Sequence, residues 1–216
     1  KPGFLEGLRE LCNRERVLLI FDEVLTGFRV ARGGAQERYG VRADLTCLGK
    51  ALSGGLPMGG YGGRADLMRQ VAPTGPVYQA GTYCGNPVSV RAAVAAMELA
   101  ATPGVYEDLE ALASRLVAGL SEIPGLLVQN VGSMFSLGFG PERLEDHRDA
   151  ERLQTRTFAL FFHEMLARGV YLPPSTFDAA CLATVHTAEE VDQVIQAAAE
   201  AVPVALERTP GTKAGI

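Results

Sequence analysis

The sequence has 216 residues, with 20 Lys+Arg against 25 Asp+Glu and a formal net charge of −5. Apolar residues make up 47% and charged residues 21%. That is an ordinary globular balance in a chain long enough to bury a core without disulfide staples, as one large domain or a domain and a half. The acidic balance, with no stripe of Lys and Arg, excludes a nucleic-acid footprint, and no apolar run approaches the ~18 residues of a membrane span.

The cysteines Cys12, Cys47, Cys84 and Cys181 lie far apart without a C-x-x-C pair, so neither a disulfide framework nor a zinc site is expected. A cytoplasmic protein is expected, with no nucleic-acid or membrane partner. In chain order, Lys1-Pro2-Gly3 lacks an initiator Met and runs into a helix marked by Leu5, Leu8 and Leu11 on one face. The chain reads as part of a longer polypeptide. The β-branched-rich run 17–21 predicts a strand covered on both faces. A loop rich in Gly and Arg follows, and then come strands at Leu45–Leu48 and 58–62. Asn86 reads as an N-cap with Pro87 at the first helical position, opening a helix to about residue 101 that Pro103-Gly104 stops. Strands separated by helical segments predict an α/β fold with a mostly parallel sheet.

The second half predicts a smaller α+β unit. A helix over 106–120 ends at Pro124-Gly125, and strands follow at 126–129 and 133–139. A charged linker spans 141–152. Phe158, Phe161, Phe162, Met165 and Leu166 repeat at helical spacing up to Gly169, a closing residue. A strand at 181–185 and a last helix ended by Pro203 complete the unit. The expected division is 1–110, 111–207 and a flexible tail over 208–216.

The chemistry centres on Asp22 and Lys50, both expected at the C-terminal edge of a sheet, where open α/β folds bind ligands. A lysine just past a buried strand is expected to be partly desolvated, which lowers its pKa and frees an amine nucleophile. Such an amine can form a Schiff base with a carbonyl substrate or with pyridoxal phosphate. An acid held opposite would keep the cofactor's pyridinium nitrogen protonated. A solvated surface lysine and a turn aspartate explain the same pattern. A P-loop is excluded because Asp44 and Ala51 stand where it needs Gly and Ser/Thr. The glycine run 54–60 suits either a close backbone approach to a ligand or a tight turn. Residues 79–82 before Asn86-Pro87 suit either an anion such as phosphate or a plain capped helix. His147, His163 and His186 form no metal constellation, so no metal is expected. Ser133, Ser136 and Ser175 lack a G-x-S-x-G elbow, so a hydrolase triad is unsupported.

Leu19-Ile20-Phe21-Asp22-Glu23-Val24-x-Thr26-Gly27-Phe28-Arg29, then Asp44-Leu45-Thr46-Cys47-Leu48-Gly49-Lys50, then Gly54-Gly55-Leu56-Pro57-Met58-Gly59 resembles the class III aminotransferases, fold-type I enzymes that use pyridoxal phosphate. Gly75-Pro76-Val77-Tyr78-Gln79-Ala80-Gly81-Thr82, Gly132-Ser133-Met134-Phe135, Phe161-Phe162-His163 and Gly169-Val170-Tyr171-Leu172-Pro173-Pro174-Ser175 are similar to the aminomutase branch of that family, which moves an amino group within one small-molecule substrate. The resemblance implies part of a cofactor-binding large domain in 1–110 and a small C-terminal domain in 111–207. It implies that Lys50 holds pyridoxal phosphate covalently and shuttles protons, with the pyridoxamine phosphate form in the cycle. Asp22 would bind the pyridine nitrogen and Val24 would pack on the ring. Gly81 and Thr82 would reach the cofactor phosphate of the neighbouring subunit in a homodimer. Asp178 stands where the family usually carries Glu near the substrate, and Cys84 where Ser is common. The family's other phosphate loop, ring-stacking aromatic, substrate-carboxylate Arg and gating loop do not precede Lys1, so weak or no activity is expected of the isolated chain. A class III transaminase acting on another amine and a non-catalytic α/β domain are the alternative readings.

Overall fold

The computed structural model describes residues 1–209, so 210–216, most of the expected tail, lie outside the described residues. The chain divides at Tyr106/Glu107 into two units. In the first, α1 (Phe4–Glu15) closes on Arg16 in the left-handed region (φ 57°). The Val17 amide then donates back to Cys12 O at 2.9 Å, a Schellman-type ending. Because that cap consumes the start of the 17–21 run, strand β1 begins later and covers Ile20–Glu23. Asp22 is therefore inside the strand rather than after it.

Next come α2 (Gly34–Tyr39), β2 (Leu45–Leu48), a 3-10 turn over Lys50–Ser53, β3 (Gly60–Gly63) and α3 (Ala65–Met68). β1 and β2 pair in parallel, from Ile20 opposite Leu45 to Glu23 opposite Leu48. β3 joins β2 antiparallel, so the three-stranded sheet mixes both directions. Asn86 opens α4 (Pro87–Ala100) as expected, its Oδ1 accepting from the amides of Val88 and Ser89 at 3.0 and 3.2 Å. Val17, Leu18 and Ile20 are 58%, 44% and 55% exposed, so the two-sided cover expected of this strand is absent among the described residues. Among the described residues β1 pairs with β2 on one side only. The buried apolar side chains of this unit are Val30, Val41 and Ala93, too few for a core built by these residues alone.

The second unit has a full core. α5 (Val105–Ser121) leads into β4 (Leu127–Val131), β5 (Met134–Gly138), α6 (His147–Ala150), α7 (Thr155–Ala167), β6 (Ala180–Cys181) and α8 (Ala188–Glu207). The three strands form an antiparallel sheet in the order β4-β5-β6. Leu116 and Leu120 of α5, Phe161 and Met165 of α7, and Ala198 and Val202 of α8 are almost fully buried against Phe135 and Leu137 of β5. Phe139 meets Phe161 edge-on with ring centroids 5.4 Å apart.

Two expectations fail here. The strand expected over 181–185 stops at Cys181, because the Ala183 amide donates to His186 Nδ1 in a turn instead of to a neighbouring strand. Pro203 does not end the last helix, which runs on to Glu207. Ala201, Val202 and Ala205 are buried on either side of Pro203, which itself faces solvent. Their packing outweighs the hydrogen bond that proline removes. Arg208 also donates to Glu164 Oε1 at 2.8 Å. No single helix among the described residues is long and apolar enough to cross a membrane.

Candidate active site

Parallel pairing decides the first question of geometry. Asp22 lies opposite Cys47 on the neighbouring strand, and Lys50 follows Gly49 just past the end of β2. Both residues therefore stand at the C-terminal rim of adjacent strands, where α/β sheets place ligands. Asp22 Oδ1 accepts from the Val24 amide at 3.0 Å, fixing the turn out of β1. Val24 in turn packs on Gly49: a Cβ added there would stand 3.3 Å from Val24 Cγ1. The Asp22–Val24 segment and the residue before Lys50 are thus in van der Waals contact.

Lys50 has φ 44°, the left-handed region. A lysine there stores on the order of 1–3 kcal/mol of strain, of a kind that collects at functional sites. The turn that holds it is closed by the Leu52 amide donating to Gly49 O at 2.9 Å and by the buried Ser53, whose hydroxyl donates to Leu56 O. Gly54 lies against Ala96 of α4. The desolvation expected of Lys50 is not supplied by the described residues, where both Lys50 and Asp22 are exposed. The Lys50 amine has no hydrogen-bond or ion-pair partner among them.

Gly81 and Thr82 lie in the loop before α4, both exposed. The Cys84 amide donates to Gly81 O at 2.9 Å. A hollow of about 310 Å³ joins this loop to the glycine run, with Met58, Gly59, Gly81 and Asn86 in its wall. Two segments singled out separately in the sequence are therefore neighbours. Asp178 belongs to the second unit, exposed on a turn whose amide donates to Ser175 O at 3.1 Å. The histidines stay apart: His186 accepts from Ala183, His147 faces Glu151 at 3.7 Å, and His163 lies against the Phe162 ring.

Two buried carboxylates escaped the sequence reading. Glu23, 2% exposed, points to the face of β1 opposite Asp22. It accepts from Thr26 Oγ1 at 2.8 Å, the Ala35 amide at 2.7 Å, and the amide and Nε2 of Gln36 at 3.1 and 3.3 Å. Asp44, 6% exposed, sits where β1 and β2 begin. It accepts from the Leu19 amide and Arg9 at 2.8 Å each and from Arg64 at 3.0 Å. The Leu19 amide first, then the two guanidiniums, hold its pKa well below the usual carboxylate range. Thr26 apart, their partners come from residues 12 or more positions away in the chain, so neither burial has a local signal.

Residues 1–202 match the model of the family Aminotransferase class-III. The chain belongs to the class III aminotransferases. It is 54% identical over 205 residues to the glutamate-1-semialdehyde 2,1-aminomutase of Thermomicrobium roseum, covering 93% of this chain and 48% of that protein. Among solved structures it is similar to an omega-transaminase from Sphaerobacter thermophilus, with a TM-score of 0.84 and 34% identity over 95% of this chain and 48% of that one. It is also similar to a transaminase with PLP bound, with a TM-score of 0.81 and 25% identity over 96% of this chain and 49% of the other. The chain spans about half the length of the curated relatives it matches.

Proposed function

We propose that this chain is the lysine-bearing portion of a pyridoxal-phosphate-dependent aminomutase that converts glutamate-1-semialdehyde into 5-aminolevulinate, feeding tetrapyrrole synthesis. The observation that carries the proposal is the placement of Asp22 and Lys50 on the same rim of parallel neighbouring strands, with Lys50 backbone-strained and its amine unengaged. The donor set fits the cofactor. An amine suits an aldehyde, and a carboxylate with one oxygen free of partners among the described residues suits a pyridinium nitrogen. Pyridoxal phosphate supplies an electron sink for bonds broken at the substrate's amine-bearing carbon. Lys50 binds the cofactor through Nζ and carries the proton there between one position and another. Asp22 holds the proton on the ring nitrogen. Val24, braced by Gly49, lies against the ring and excludes water from it.

Gly81 and Thr82 contact the cofactor phosphate of a second subunit, so the working unit is a homodimer, and we place it in the cytoplasm. Asp178 contacts the substrate, its side chain one methylene shorter than Glu. Names borne by relatives that match about half of their own length support the mutase reading.

The test uses the full-length polypeptide containing this sequence. Borohydride reduction with pyridoxal phosphate, followed by peptide mapping, is expected to label Lys50, and a label on another lysine overturns the site. Incubation with glutamate-1-semialdehyde and no added amino acceptor is expected to yield 5-aminolevulinate. Failure of that assay, with Lys50 labelled, favours a class III transaminase acting on another amine, the reading supported by likeness to the omega-transaminase fold.

A further inference from the structure

We infer that the buried Glu23 and its partners Thr26 and Gln36 form a positioning brace that sets the orientation of Asp22 and the separation of the strand ends bearing Asp22 and Lys50. The inference rests on the proposed site. It begins with the pleat. Neighbouring residues on a strand point to opposite faces, so whatever anchors Glu23 on one face holds Asp22 on the other.

The anchor is unusually complete. Oε2 of Glu23 accepts from the Thr26 hydroxyl and the Ala35 amide, while Oε1 accepts from the amide and the side-chain Nε2 of Gln36. No cation pairs with it among the described residues. Gly34 makes the cradle, with φ 69° and no room for a side chain, because a Cβ there would run into the Glu23 carboxylate. Gln36 then extends the brace to the second strand. Its Nε2 also donates to Thr46 Oγ1 of β2 at 3.0 Å, and its Oε1 accepts from the Ala43 amide at 2.9 Å.

One half-buried side-chain amide therefore links the strand of Asp22 to the strand that ends before Lys50. Thr26 closes the other side of the loop, tying its hydroxyl to Glu23 beyond Val24, the residue that packs on Gly49. A network this distributed exceeds what the cap of a short α2 needs, and it lies on the face of β1 opposite Asp22. Such satisfied buried networks fix one geometry where a merely apolar core would tolerate several.

The test compares Thr26→Val, Gln36→Leu and Glu23→Gln with the wild-type full-length enzyme. Measured together are the melting temperature, the pH titration of the visible absorbance of bound pyridoxal phosphate, and kcat and KM at 25 °C. Thr26→Val removes a single donor with little change of shape and is expected to lower kcat roughly tenfold at nearly constant KM, as loss of one bond to a charged group implies. It is also expected to shift the midpoint of the absorbance titration, because Asp22 moves relative to the ring nitrogen. Glu23→Gln, which turns an N–H₂ toward donors, is expected to shift it further. If the variants melt earlier but keep the wild-type titration and kcat, or cannot be folded at all, the network serves stability alone and the inference is overturned. If wild-type enzyme itself is not labelled at Lys50, the proposed site is wrong instead, so the two failures are distinguishable.

Discussion

Asp44→Asn should remove most of the bracing at the rim of the sheet remote from Lys50. The carboxylate joins α1 through Arg9, the approach to β1 through the Leu19 amide, and the end of β3 through Arg64. In the variant the remaining oxygen can face Arg9 and Leu19, but both bonds lose their charge assistance, at a cost of about 1 kcal/mol each. Arg64, whose side chain is 52% exposed, now meets an N–H₂ group and adds about 0.5 kcal/mol, the scale of a surface pair. The sum is about 2–3 kcal/mol. In the full-length polypeptide that lowers the melting temperature by about 4–12 °C, read from thermal unfolding followed by circular dichroism.

The pH dependence supplies an independent check. The folded-state pKa of Asp44 is depressed, so its contribution is fully present above the unfolded value near ~4 and is lost as pH falls toward the folded value. The gap between wild type and variant should be constant from neutral pH down to about 4 and narrow below it. A variant that melts within about 2 °C of wild type at pH 7, or a gap that stays constant into acid, would refute the assignment of Asp44 as a structural brace.

Replacing Lys50 by Ala in the full-length enzyme should abolish borohydride labelling at this position and reduce turnover below detection, measured by peptide mapping and product assay. Phe161→Ala empties a fully buried site between α5, β5 and α8 and should cost about 3–5 kcal/mol in denaturant unfolding of the second unit. Asn86→Ala leaves the Val88 and Ser89 amides without their side-chain cap and should cost about 1 kcal/mol in denaturant unfolding of the full-length polypeptide. Asp178→Ala should raise KM for the semialdehyde with a smaller change in kcat, because the residue is proposed to contact substrate rather than the reacting bond.

Helices α4, α5 and α7 were legible because their signals are local. Asn86-Pro87 supplies a cap and a preset first turn, and Phe158, Phe161 and Met165 repeat at helical spacing. The same is true of Leu45–Leu48, a short apolar run. Residues 17–19 were misread because apolar content says that a segment seeks cover, not that cover exists. In the chain itself Val17 is consumed by a helix cap, and Ile20 stays exposed. Pro203 was misread for a related reason, since the penalty of a missing amide is fixed while the packing that offsets it depends on distant partners.

Sequence alone therefore determined which residue types stand at which strand ends, and with them the chemistry on offer: an amine, a carboxylate and a glycine-rich turn. Tertiary structure alone decided what holds them. Glu23 and Asp44 look like solvated acids until donors from residues 26, 35 and 36, or from 9, 19 and 64, are brought around them. The left-handed backbone of Lys50 likewise appears only once Gly49 packs on Val24 and the turn to Ser53 closes. Local patterns encode periodicity and capping, whereas burial of a charge depends on groups far away in the chain that share no spacing with it.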